Sequence, residues 1–337
     1  MKVTKQRWAA VLAVPMSVGL SLALAISGSG QTGTAPDLRP AVAVAGSSSE
    51  VARGEFQIKC RLSHTAPDDP IVAPGQPGAA HQHEFFGNVS TNAHSTTGSL
   101  AGQRTTCAEQ GDKAAYWVPT LYNGGRRVEP NLMITYYRTG QLRDPSLIRP
   151  FPRGLRMIAG NGHATQPQPQ MVTDWGCDGD GPSGTSEPPR TCDGDPLRLR
   201  IIFPNCWDGE RLDSADHQRH MAYSYRHMRQ CPRSHPVALP TLKMHVRYDI
   251  RGPVERLTFS SGSHYSAHAD FWNAWHQPTL HELVGRCLLG FRACKSPSLP
   301  PWARWATAGS RAGPGPHGAK RDGVPLLRHG GDRVLPR

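Results

Sequence analysis

The chain has 337 residues, eight cysteines and a formal net charge of +12. That length is enough for one or two domains with a real core. The charge sits mainly in the tail: residues 295–337 carry +6 and residues 1–50 carry +2, leaving only +4 for residues 51–294. So modest an excess argues against a polyanion-binding surface and against nucleic acid as partner.

Lys2, Lys5 and Arg7 precede an apolar run from Trp8 to Ile26. Residues 1–30 therefore read as an export signal or a retained N-terminal anchor, with small-x-small patterns at Ala23-Leu24-Ala25 and Ala43-Val44-Ala45. The run is about as long as a minimal membrane span of roughly 17–25 residues. Residues 31–54 read as a flexible linker, residues 55–294 as one cysteine-bounded domain, and the Pro/Gly/Arg-rich residues 295–337 as a disordered basic tail. An even cysteine number in an exported chain predicts up to four disulfides. Pairing of sequential neighbours gives Cys177 with Cys192, Cys206 with Cys231 and Cys287 with Cys294, and the absence of any Cys-x-x-Cys pair speaks against a zinc ribbon or a thioredoxin-type site.

Within the domain, a Pro74-Gly75-Gln76-Pro77-Gly78 loop leads to a strand expected near His81. His81 and His83, two residues apart, would share one face of that strand and could grip one metal. Short apolar or alternating runs follow at Ala115–Val118, Leu132–Tyr137, Leu197–Phe203 and Leu242–Tyr248. The last two alternate as half-buried strands should. Turn residues such as Asn123-Gly124-Gly125 and Asp208-Gly209 punctuate them. In Asp213-Ser214-Ala215-Asp216-His217-Gln218-Arg219-His220 the spacing suits a helical turn, with Asp213, Asp216/His217 and His220 on one side and Asp213 or Ser214 as cap. Asp270 to Leu289 carries an approximate apolar stripe and predicts a helix split at Pro278, with Asp270 as its cap or as a carboxylate orienting an imidazole and His268 just before it. These elements predict a mainly β (α+β) fold, a disulfide-stabilised sandwich or jelly roll with long loops and a short C-terminal helical segment.

Neutral imidazole is a metal ligand or a base near pH 7, so the three histidine segments define the candidate chemistry if the fold brings them together. His81, His83, His217, His220 and His268 are the candidate ligands of a divalent metal such as zinc. His83, His220 and His268, with Asp216 and Asp270, are the candidate catalytic groups, with or without that metal. The aromatics beside them, among them Tyr116, Trp117, Tyr122, Trp207, Tyr223, Tyr265, Trp272 and Trp275, read mostly as core and otherwise as platforms for sugar rings. No His-Glu-x-x-His, Gly-x-Ser-x-Gly, P-loop or Gly-x-Gly-x-x-Gly motif is present.

Several segments together resemble a known family. Asp69-Pro70-Ile71-Val72-Ala73-Pro74-Gly75, the His81/His83 segment, Tyr116–Tyr122, Phe151–Gly160, Phe203–Gly209, Leu212–His217, Cys231–Val237 and His268-Ala269-Asp270-Phe271 are similar, in order, to the DUF1996 domain. The resemblance spans roughly residues 56–294. It implies an exported protein of the kind found in bacteria and fungi. Some fungal members also carry carbohydrate-binding WSC modules, which implies a setting of walls and polysaccharides. No activity comes with it, and Glu84 lies where the bacterial and fungal versions diverge, which weakens any essential role for it. The expectation is a secreted, wall- or polysaccharide-associated protein acting as a hydrolase or lyase. The alternative is a non-catalytic glycan- or metal-binding module. A membrane enters only through an N-terminal anchor, and the oligomeric state stays open.

Overall fold

A computed structural model describes residues 54–300, apart from 182–183, 225–228, 251 and 255. The expected N-terminal signal or anchor and most of the basic tail lie outside the described residues, and so does nearly all of the linker. Among the described residues no helix is long and apolar enough to cross a membrane.

Two large sheets form the frame. The first contains β1 (Glu55–Cys60), β5 (Pro130–Arg138), β7 (Thr173–Cys177), β8 (Leu197–Ile202), β9 (Thr241–Tyr248) and β11 (Ala293–Cys294), in the order β11-β1-β5-β9-β8-β7. The second contains β2 (Leu62–Ala66), β3 (His83–Gly87), β4 (Ala115–Pro119), β6 (Arg156–Gly160) and β10 (His268–Trp272), in the order β2-β3-β4-β10-β6. All neighbours are antiparallel except β1 and β11. The four runs read as strands from the sequence are β4, β5, β8 and β9. Asn123-Gly124-Gly125 closes a hairpin between Leu121–Asn123 and Arg126–Val128, with φ of 56° and 81° at the two glycines.

Alternation decides which faces meet. Phe56, Ile58, Tyr137, Leu199, Met244 and Val246 of the first sheet join Phe86, Tyr116, Val118, Met157 and Phe271 of the second in one buried cluster. The domain is thus a sandwich, and each fully buried Phe or Leu contributes about 1.5–3 kcal/mol. All four disulfides are formed: the three pairs of sequential neighbours, and Cys60–Cys107 across 47 residues.

The helix expected from Asp270 starts later. His268–Trp272 is strand β10, because Ala269 and Phe271 point into the core while His268, Asp270 and Trp272 line the other face; the period is two. Helix α1 runs Gln277–Leu283 and continues as a π-turn to Leu289. Pro278 sits in its first turn, where a missing N–H costs nothing, and does not split it.

The outer face of the first sheet is polar and carries a pH signature. Burial beside Arg198, Arg200, Arg138 and Lys243 pushes the His245 imidazole down to about 2. A histidine whose folded pKa is depressed contributes stability above its unfolded value of about 6.5 that is lost as pH falls below it. Chemical denaturation at pH 7 and pH 5 should therefore show a smaller loss of stability for His245→Gln than for the parent.

Candidate metal centre

The other face of the second sheet carries the site. In register across β3, β4, β10 and β6 it presents His83, Trp117, Asp270, His268 and Ile158, and a small apolar cluster of Ile71, Phe85, Leu100, Ala115, Trp117, Trp272 and Ala274 packs beside them. The loop after β2 folds over this face because two adjacent carboxylates organise it. Asp69 Oδ1 accepts the Ile71 and Val72 amides at 2.8 and 2.9 Å. Asp68 accepts the Gly78 and Ala93 amides at 2.9 and 3.1 Å. The Asx turn at Asp69 and the longer-range anchors on Asp68 bring His81 and His83 back onto the sheet.

The imidazoles of His81, His83 and His268 lie against one another, with ring centroids 4.2, 5.1 and 5.9 Å apart. One ligand atom from each lies within 4.8 Å of the others, and the same holds for Asp69, His83 and Asp270. His83 belongs to both groups. His83 Nδ1 donates to the Asp68 carbonyl and His268 Nδ1 to the Ser266 carbonyl, each at 2.9 Å. A carbonyl only accepts, so both rings keep the proton on Nδ1 and the lone pair on Nε2. That is how metal-binding imidazoles are oriented. His83 Nε2, His81 Nε2 and Asp270 Oδ2 are buried without a hydrogen-bond partner.

Electrostatics agree with the geometry. Burial, reinforced by His81 and His268, holds His83 well below the ordinary histidine range, and burial takes His268 down to about 4. Burial lowers His81 as well, with His163 adding to it. Burial raises Asp270 well above the usual carboxylate value, with Asp69 as a second cause, and burial also raises Asp69. The Trp117 indole N–H lies beside Asp69 without a hydrogen bond of normal geometry. A polar cluster this deep needs a partner, because unpaired buried polar groups are costly. Three neutral imidazole nitrogens and two carboxylates are a donor set for a divalent cation.

The loop Asn161-Gly162-His163 covers His268. A Cβ at Gly162 would lie 3.1 Å from His268 Cε1 and 3.2 Å from Nδ1, so the chain passes flat over the ring. Gly160, at φ 87°, makes the approach possible, since a Cβ there would meet the Ala267 carbonyl at 2.5 Å.

The remaining sequence candidates lie elsewhere. Residues 213–220 form turns in which His217 takes φ 58°, so the expected helical turn is absent. His220 is fully buried but outside the cluster, with Nδ1 at 3.0 Å from Ser214 Oγ and Nε2 at 2.6 Å from the Arg156 carbonyl. Asp216 is exposed and binds Ser214 Oγ and the Gln218 and Arg219 amides, which pull its carboxyl down to about 2. Asp213, expected as a cap, instead pairs with Arg156 at 2.9 Å and with His217 Nδ1 at 3.0 Å. His217 lies close enough to Asp69 to favour its charged form. His220→Ala should cost about 2–4 kcal/mol in denaturant titration, through a cavity and stranded polar groups, while leaving metal binding unchanged.

Of the aromatics, Tyr116, Trp117, Trp272 and Trp275 are core, and Tyr122, Trp207, Tyr223 and Tyr265 are half-buried. Sequence pattern alone does not mark Asp69 or His163 for chemistry. The available signal for Asp69 was the acidic pair Asp68-Asp69 before Pro70, a turn former feeding the His81/His83 segment.

The sequence model of DUF1996, described as a domain of unknown function, matches residues 69–275. That stretch includes Asp69, His81, His83, His268 and Asp270. Neither a curated protein nor a solved structure matches the chain.

Proposed function

Since this chain belongs to the DUF1996 family, which brings no activity with it, we propose from the geometry that it is an exported metal-dependent hydrolase or lyase of extracellular polysaccharide. Four disulfides are the cysteine usage of an extracellular protein. The observation that carries the reading is the convergence of His81, His83 and His268 on one buried point, with unpartnered atoms on His81, His83 and Asp270. A divalent cation such as zinc would take the Nε2 atoms of His83 and His268, a nitrogen of His81 and a carboxylate oxygen. It would supply Lewis acidity, polarising substrate or lowering the pKa of a bound water. Asp69 and Asp270 stand beside that position as proton carriers. His81 is only partly buried and marks the side from which a substrate reaches the metal. The choice of polysaccharide rests on the extracellular setting that the family resemblance implies.

Protein purified without a polyhistidine tag would be stripped with chelator, reloaded with zinc, manganese or copper, and incubated with wall polysaccharides. Release of reducing ends or of unsaturated sugars by the reloaded protein, absent in Asp270→Asn, is the expected result. Bound metal with no product from any substrate would favour a second reading, a non-catalytic metal module. The near-complete burial of His83 and His268 favours that reading.

A further inference from the structure

A sizeable cavity lies away from the His81, His83 and His268 cluster. It opens on the outer face of the first sheet, on the opposite side of the sandwich, and has a volume of about 950 Å³. Strand register builds its floor. Glu55 pairs with Arg138, Arg138 with Thr241, Lys243 with Ile202, and Arg200 with Asp174, so these side chains project from one face. Arg138 is paired with Glu55 and Arg200 with Asp174. Lys243 stands between the two arginines and makes no ion pair among the described residues, so the floor carries an excess positive charge. Burial, and after it the two arginines, depress the Lys243 ammonium to about 8, with Glu55 and Asp174 opposing the shift.

A second observation is independent of charge. Asn205 lines the same cavity and is only 3% exposed. Its Oδ1 accepts the Ser224 amide at 3.1 Å, which fixes the orientation of the side chain. Its Nδ2 is then a buried donor without a partner. A buried donor left open beside crowded cations calls for acceptor oxygens. Gln141, Gln170 and Thr241 complete a polar wall suited to hydroxyls.

We propose that this cavity binds a polyhydroxylated ligand through one anionic oxo group, a carboxylate or a phosphate, held by Lys243, Arg138, Arg200 and the Asn205 amide. The site is separate from the histidine cluster, and its failure would leave the metal reading standing.

Titration calorimetry on the full chain, disulfides intact, would use trigalacturonate, inorganic phosphate and neutral galactotriose as probes. Binding of trigalacturonate alone identifies a sugar-acid carboxylate, and binding of phosphate identifies a phosphorylated ligand; either supports the site. Equal binding of the neutral sugar, or no binding of any probe, overturns it. Lys243→Met and Asn205→Ala should each weaken the bound probe at least tenfold with unchanged circular dichroism, and Lys243→Arg should restore most of it. Unchanged affinity in Lys243→Met would overturn the assignment. Should Lys243→Met fail to fold, Asn205→Asp, which adds a repelling charge, supplies the same reading.

Discussion

Chelator-stripped protein should gain thermal stability on addition of zinc or a similar divalent ion, and His83→Ala and His268→Ala should not. A ligand that binds only the folded state stabilises by about 2.7 kcal/mol at a hundred times its dissociation constant. For a domain of this size that is an expected rise of roughly 5–10 °C in the melting midpoint. The comparison rests on the metal-dependent increment, because His83 is fully buried and its truncation lowers the melting point of the apo protein by itself. Elemental analysis gives the matching stoichiometry: about one ion per chain in the parent and background levels in both variants. His220→Ala separates a shared site from a general weakening of the fold, since it should melt lower yet keep the whole increment. An increment that survives in both His83→Ala and His268→Ala would remove these imidazoles from any metal site.

The contrast between His83 and His220 shows how far the sequence could be read. Residue spacing placed His81 and His83 together, although the strand begins only at His83 and His81 belongs to the segment just before it. It could not distinguish His268, which reaches the cluster from 185 residues further along, from His220, which lies nearer in the chain and stays outside. Both histidines sit beside acidic residues, and the difference is that His268 stands on strand β10 of the site's sheet while His220 lies in a turn. Asp270 pairs with Trp117 in β4, two strands from His83, whereas His220 sits in a turn and is held by the backbone carbonyl of Arg156, the first residue of β6. The same competition misled the reading of Asp270. An Asp followed by an apolar stripe looks like a helix start, but Ala269 and Phe271 had a core to fill on one side only. Strands such as β8 and β9 were legible because their alternation has no helical rival. Asp69 was not legible as a site residue, since its role depends on a loop returning over the sheet and not on its sequence neighbours.

Replacing Cys60 and Cys107 together by alanine should cost more stability than removal of any other single bridge, and should also cost metal binding. A cross-link stabilises by restricting the unfolded chain, and the restriction grows with the logarithm of the enclosed loop. The Cys60–Cys107 bridge encloses 47 residues, against 7 for Cys287–Cys294, which gives about 4 kcal/mol for the first and about 2 for the second. That is roughly 8–16 °C in melting midpoint for the long bridge. The bridged segment contains Asp69, His81 and His83, three of the five groups at the candidate centre. Cys60 ends β1 in the first sheet, and Cys107 closes the excursion that carries these residues over the second. Opening the bridge therefore frees the loop supplying the ligands and leaves His268 and Asp270 fixed on β10. Removal of Cys287–Cys294 should lower the melting point and leave metal affinity unchanged, because that bridge ties the π-turn after α1 to the edge strand β11 on the other sheet. Measured side by side, equal metal affinity in the two bridge variants would mean that the Asp69–His83 loop holds its position without covalent help. A selective loss in the Cys60/Cys107 variant would tie the oxidised state of the protein directly to its metal chemistry.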